Sequence, residues 1–248
     1  MKYKVLIISI LSSIFTISAQ ENLEIQAEKF YEQKDYIQAA QSYETLMKKG
    51  SSANLYYNYA NTQFKLNNLG KAILFYERAL VLSPSDKDIQ ASLNFANTLT
   101  TDKIEGYQVF FIADWLASLG KLLNTNGWAY LSISLFVLTI ILVLIYLFSS
   151  ILRLRKAAFY ISVLALGLSL IAFIYAFSQR KYLADNPYSI VMDGSVSIKA
   201  SPSVTGKELF ILHEGTKVKV LSQKNGWCEV EIADRRIGWV NSENIEKI

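Results

Sequence analysis

The spacing of apolar positions divides the chain into three regimes. Between Leu23 and Ala96 they recur at intervals of three and four: Leu23, Ala27 and Phe30; Ala39, Tyr43 and Leu46; Ala72, Tyr76 and Ala79; Ile89, Leu93 and Ala96. That interval lines one face of a helix, so a succession of amphipathic helices is predicted. In the middle the polar positions drop out. No charge occurs from Leu122 to Leu152, and a second uncharged run covers Ala157 to about Gln179. Trp128 to Ser150 is 23 residues, enough to cross the ~30 Å hydrocarbon layer. Beyond Asp185-Asn186-Pro187 the period falls to two, in Val196–Lys199, Thr216–Leu221, Trp227–Ile232 and Ile237–Val240, with turn residues between. Alternation of that kind predicts a small β-barrel.

Two shorter segments complete the pattern. Lys2 and Lys4 precede an apolar run from Val5 to Ile17 that ends in Ile17-Ser18-Ala19, the layout of a secretory signal. The run is short for a span; cleaved or kept as an anchor, it delivers the chain after Gln20 to the outside of the cytoplasmic membrane. Phe111, Trp115, Leu119, Leu122 and Leu123 follow helical spacing with Asp114, Ser118 and Lys121 opposite, which predicts an amphipathic helix lying in the membrane interface. Gly120 and Gly127 argue against a simple extension of the first span.

The helical regime repeats. Ala39, Tyr43 and Leu46 return 33 residues later as Ala72, Tyr76 and Ala79, and the second unit closes on Pro84. With Ala60 as the small residue between paired helices, this resembles the tetratricopeptide (TPR) repeat. Repeat 1 departs at Ser51, where proline is usual, and repeat 2 at Gln63, where an aromatic is usual. A helical pair cannot bury its face alone, so residues 86–100 are expected to form a capping helix started by Ser85 or Asp86. The resemblance implies a concave groove lined by Glu24, Glu28, Tyr31 and Glu32 in repeat 1 and by Tyr57, Asn61, Phe64 and Lys65 in repeat 2. The β segment resembles the bacterial SH3 family through Ala200-Ser201-Pro202-Ser203, Gly206, Leu209, Leu212, Glu214-Gly215-Thr216, Gly226-Trp227 and Gly238-Trp239-Val240. Trp227 and Trp239 then have two readings, completion of the barrel core or a ligand platform.

The expected architecture is a multidomain membrane protein. A signal peptide at 1–19 leads into an all-α TPR domain at 20–106, with two repeats and a capping helix. An amphipathic interfacial segment at 107–126, a two-helix transmembrane hairpin at 127–180 and an all-β SH3-like barrel at 188–248 follow. This order resembles the BatE family of membrane proteins from the Bat aerotolerance operon of Bacteroidetes. That family implies partners, namely von Willebrand-type Bat proteins and, through them, a MoxR-type ATPase, and it implies no chemistry.

Charge and rare residues narrow the function. Residues 20–106 carry nine basic and eleven acidic side chains, residues 188–248 eight of each, and the remainder eight and two. The positive excess therefore flanks the apolar runs, where membrane proteins place it. Neither folded segment has the basic surplus of a nucleic-acid binder. Three basic residues lie in the 153–156 loop and three more (Lys121, Arg180, Lys181) at the other ends, so orientation rests on the signal: the 153–156 loop in the cytoplasm, the TPR and SH3-like parts periplasmic. Cys228 and His213 are the only residues of their kinds. They supply no disulfide, no cysteine metal site and no activated nucleophile. No enzyme and no cofactor is expected. The reading is a membrane-anchored protein-binding scaffold; the alternative is a peptidoglycan sensor acting through the SH3-like module.

Overall fold

The computed structural model describes residues 23–104 and 111–248; the signal-like segment 1–19 lies outside the described residues. They fall into two compact units, one joining the N-terminal helices to the C-terminal sheet, the other holding the long apolar helices.

In the first unit, helix α1 covers 23–32, followed by α2 (Tyr36–Met47), α3 (Ala53–Lys65), α4 (Leu69–Leu82) and α5 (Lys87–Thr98). Short polar side chains start three of them. Asp35 accepts from the Gln38 amide, Ser52 from Leu55, and Asp86 from Asp88 and Ile89. Each satisfies amides that a helix start leaves without partners. The 33-residue repeat is carried by the backbone as well as by side chains. Lys34 and Asn67 both turn the chain at φ 63°. Around the first, Asp35 N donates to Phe30 O and Lys34 N to Tyr31 O; around the second, Asn68 N donates to Gln63 O and Asn67 N to Phe64 O. These are the paired closing bonds of a left-handed helix C-cap. Gln63 now has a reason to be polar: it is buried, and its side chain accepts from Asn68 Nδ2 at 2.7 Å inside the same turn. Ala27, Ala39, Ala60, Ala72, Ala79 and Ala96 are fully buried. Small residues at these contacts let the helices approach, and Tyr43, Tyr59, Tyr76 and Phe75 fill the space between.

The sheet has seven antiparallel strands: β1 (Tyr188–Val191), β2 (Val196–Lys199), β3 (Glu208–Leu212), β4 (Lys217–Lys224), β5 (Trp227–Glu231), β6 (Ile237–Asn241) and β7 (Ile245–Lys247). Their spatial order is β3-β2-β6-β5-β4-β1-β7. One face buries Ile198, Leu212, Val218, Cys228, Val230 and Val240. Asn225 (φ 51°) and Gly226 (φ 80°) form the β4–β5 turn, the pair of positive φ angles that a tight hairpin needs. At the β5–β6 turn, which lacks glycine, Arg235 takes φ 70° while Asp234 accepts from Arg236 N and Nε. Strand β1 belongs to two cores: Ile190 is buried in the helical one and the next residue, Val191, in the β one.

The second unit contains α6 (Phe111–Gly120), α7 (Thr125–Phe148) and α8 (Leu152–Asp185). Two of these helices are long and apolar enough to cross a membrane, and most of their large apolar side chains face outward. That is the reverse of a core helix in a water-soluble fold and fits a hydrocarbon surround. They meet along small residues of α8: Ala158, Ser162, Ala165, Ser169, Ala172 and Ala176 are buried. Ser132 Oγ donates to Ser169 O and Ser169 Oγ to Ser132 O, both at 3.0 Å. Close backbone approach with exchanged hydroxyl bonds is how apolar helices pack without a hydrophobic drive between them. The connection is shorter than the sequence predicts. It is Ser149-Ser150-Ile151, and Arg153 to Lys156 lie in the first turns of α8 rather than in a loop. Ser149 Oγ accepts from Ile151 N, which lets the helix restart at once.

Candidate functional site: a concave groove, a junction and a tryptophan face

Helices α1, α3 and α5 present one side of the repeat array. Tyr31, Asn61, Phe64 and Lys65 line a cavity of about 270 Å³ there, so four of the eight residues assigned to the groove by sequence come together. Three further residues were missed: Tyr76 from α4, and Ser92 and Phe95 from α5. The α5 pair carried a usable signal, since Ser92 and Phe95 lie off the Ile89–Leu93–Ala96 face. Phe95 is 58% exposed and packs on Phe64 at 5.8 Å between ring centroids. Asn61 Oδ1 accepts the Tyr76 hydroxyl at 2.6 Å, which fixes the amide with its nitrogen free to donate. Tyr57 is more embedded than a pure contact residue: it packs on Tyr76 at 5.9 Å and its hydroxyl pairs with Ser92 Oγ at 3.2 Å. Glu24, Glu28 and Glu32 are not among the lining residues. Burial, then Glu28, then Glu24 push the Tyr43 hydroxyl well above the usual phenol range. Burial, then Tyr36 and Tyr57 raise Tyr31. Both glutamates, and the exposed Glu32, lack ion-pair partners among the described residues.

The helices and the sheet are joined by a polar node. Asp102, just past α5, accepts His213 N at 2.7 Å, His213 Nδ1 at 2.8 Å and Thr216 Oγ1 at 2.7 Å. Burial raises its carboxyl, but the Thr216 and His213 donors outweigh that and hold it below the ordinary 3.8. Lys217 reaches Glu77 at 2.7 Å and Arg78 reaches Glu246 at 3.0 Å. Gly215 (φ +83°) sits so close to α4 that a Cβ would stand 2.7 Å from Ile73 Cδ1. Sequence reading gave His213 no partner acid; the fold supplies one from 111 residues away. Because Thr216 Oγ1 donates to Asp102 and not to the imidazole, the three form a structural clamp rather than a nucleophile–base relay. The neighbouring cleft of about 430 Å³ mixes apolar walls (Ile73, Ile104) with charges that are used internally: Lys217 on Glu77, Lys103 on the carbonyls of Asn97 and Thr98.

The two tryptophans correct one reading. Neither completes the barrel core. Cys228, Val230 and Val240 point inward, so Trp227 and Trp239, one position away on β5 and β6, face outward and are half-buried. The register places Lys199, Trp239, Glu229 and Ser222 in one cross-strand row, with Trp227 in the next. The Lys199 ammonium lies 5.9 Å from the Trp227 ring centroid and also donates to Val204 O. Cys228 is a buried wall residue whose thiol is pushed up by that burial.

Comparison with known families finds one domain. Residues 194–246 match the family model of the bacterial SH3 domain. That match covers the sheet from β2 to β7, including both tryptophans. No curated protein matches the chain.

Proposed function

We propose that this chain is a membrane-anchored, non-enzymatic scaffold of the BatE type. In this reading residues 20–106 are a TPR domain, the hairpin holds it at the inner membrane, and the TPR and SH3-like parts work on the periplasmic side within a complex of von Willebrand-type Bat proteins. The observation that carries it is the cavity between α3 and α5. A half-buried Phe64 and an exposed Phe95 lie beside a fixed amide, Asn61, and Lys65, and α1 carries the carboxylates of Glu24 and Glu28. Flat apolar area plus an oriented amide suits an extended peptide backbone. Glu28 and Glu24, about one and two turns along α1 from Tyr31, suit a basic side chain within one to three residues of the anchor, given ~1.5 Å per helical residue and ~3.3 Å per extended residue.

A second reading is favoured by the outward tryptophans: the SH3-like face binds peptidoglycan. One experiment separates the two. A photo-crosslinking residue replaces Phe95, or separately Trp239, in the full chain in native membranes. Discrete protein adducts from position 95, lost on competition with a Lys/Leu-containing peptide and kept with its Glu/Leu analogue, support the scaffold. Muropeptide adducts from position 239, with none from 95, would replace it by the sensor.

A further inference from the structure

Helix α6 is fixed to the apolar hairpin by its own backbone. Tyr175 Oη donates to Leu116 O at 3.1 Å, Trp128 Nε1 to Gly120 O at 2.9 Å, and Gln179 Nε2 to Gly120 O at 2.5 Å and Leu123 O at 3.0 Å. Trp128 stacks on Tyr175 at 4.8 Å, and a Cβ on Gly120 would stand 3.1 Å from the Tyr175 ring. The last carbonyls of a helix are ordinarily left to water. Here side chains of α7 and α8 take them, which is what a helix end requires where water is scarce.

The side of this segment turned away from the hairpin is apolar and open: Trp115 is 62% exposed, Leu116 46% and Leu122 61%. It continues the outward apolar surface of α7 and α8, whose occupant in the scaffold reading is lipid. Three cations stand next to this contact in the chain. Lys121 follows Gly120, and Arg180 and Lys181 follow Gln179, the residue that binds Gly120. All three are exposed. None makes an ion pair among the described residues, and Asp185, one turn beyond Lys181, does not pair with them.

We propose that the base of the hairpin is a lipid-headgroup site. Lys121, Arg180 and Lys181 hold the phosphates of anionic lipids, while Trp115, Leu116 and Leu122 lie at the boundary between headgroups and acyl chains. Basic positions between membrane helices bind acidic headgroups, and tryptophan favours this depth. The site rests on the membrane-anchored reading.

The test uses the full chain in nanodiscs of phosphatidylcholine with one quarter phosphatidylglycerol, released into the gas phase for native mass spectrometry. The wild type should co-elute with the discs and retain phosphatidylglycerol well above its share of the bilayer. Lys121→Gln/Arg180→Gln/Lys181→Gln should cut that enrichment about tenfold or more. Arg153→Gln/Arg155→Gln/Lys156→Gln, at the far end of the hairpin, should leave most of it. Trp115→Ser/Leu122→Ser keeps the cations and should still lower it. Co-elution with no enrichment, or equal losses in both triple variants, would overturn the site while leaving the anchor intact. Failure of the wild type to enter the discs would overturn the anchor, and the site with it.

Discussion

Replacing Asp102 by alanine removes the acceptor of three hydrogen bonds at a position whose side chain is 14% exposed. Bonds to a charged acceptor contribute about 1.5–3 kcal/mol each. Neighbouring bonds share partners and do not add, so the expected loss is about 3 kcal/mol, not the sum. The orphaned groups, His213 N and Thr216 Oγ1, both sit in the connection between β3 and β4. The effect should therefore be local: opening of the seam between helices and sheet ahead of either core. Hydrogen exchange on the full chain in nanodiscs should show amides of 211–218 and 97–104 exchanging about a hundredfold faster, from ~1.4 kcal/mol per decade. Amides in the middle of α3 and β5 should change little. Acid titration gives an independent check. The folded carboxyl lies below its unfolded value, so its stabilisation is complete above the ordinary carboxylate range and is lost as pH falls through the folded value. The wild-type urea midpoint should drop more steeply below about pH 4 than that of the alanine variant. Unchanged protection at 211–218, or parallel acid limbs, would refute a clamp centred on Asp102.

Three further outcomes follow from the same seam and sheet. Gly215→Ala combines a positive φ with a Cβ 2.7 Å from Ile73, and should lower stability by about 1–3 kcal/mol in urea denaturation of the full chain. Trp227→Ala should cost well under the ~3–5 kcal/mol of a core aromatic, because the ring faces outward; a loss of that size would return it to the core. Cys228, buried with its thiol raised, should resist maleimide at neutral pH until denaturant is added, and rapid labelling of native protein would contradict its placement in the wall.

Much of the fold was legible because each regime has one dominant period. The buried faces of α1 to α5 and the alternation of the strands follow directly from spacing, whereas the small positions where α7 and α8 meet were not read. What stayed hidden was whatever depends on contact between distant segments. Asp102 drew no reading from the sequence; only folding brings it to His213. The groove was half legible: positions on α1 and α3 follow from repeat geometry, but Phe95 and Ser92 belong to a helix read as a cap, so its outer face drew no attention. The tryptophans were left with two readings, and parity with Cys228 and Val230 decides their side. Gln63 departs from the repeat pattern for a local reason, its bond to Asn68 in the turn, which no single-residue expectation carries.

Strand β1 and the Asp102 clamp carry a consequence for how the protein is made. Glu77 meets Lys217 across 140 residues of chain and Arg78 meets Glu246 across 168, and both spans of the hairpin are synthesised between those partners. In the membrane-anchored reading proposed above, the helical array waits, with the site for Ile190 unfilled, until the hairpin has inserted and the last sixty or so residues have emerged on the same face of the bilayer. In that reading, a hairpin that inserts only one span strands the two halves on opposite sides of the bilayer, with Ile190 apart from the helical core that buries it. In that reading, completion of this one compact body reports that both spans of the hairpin were inserted.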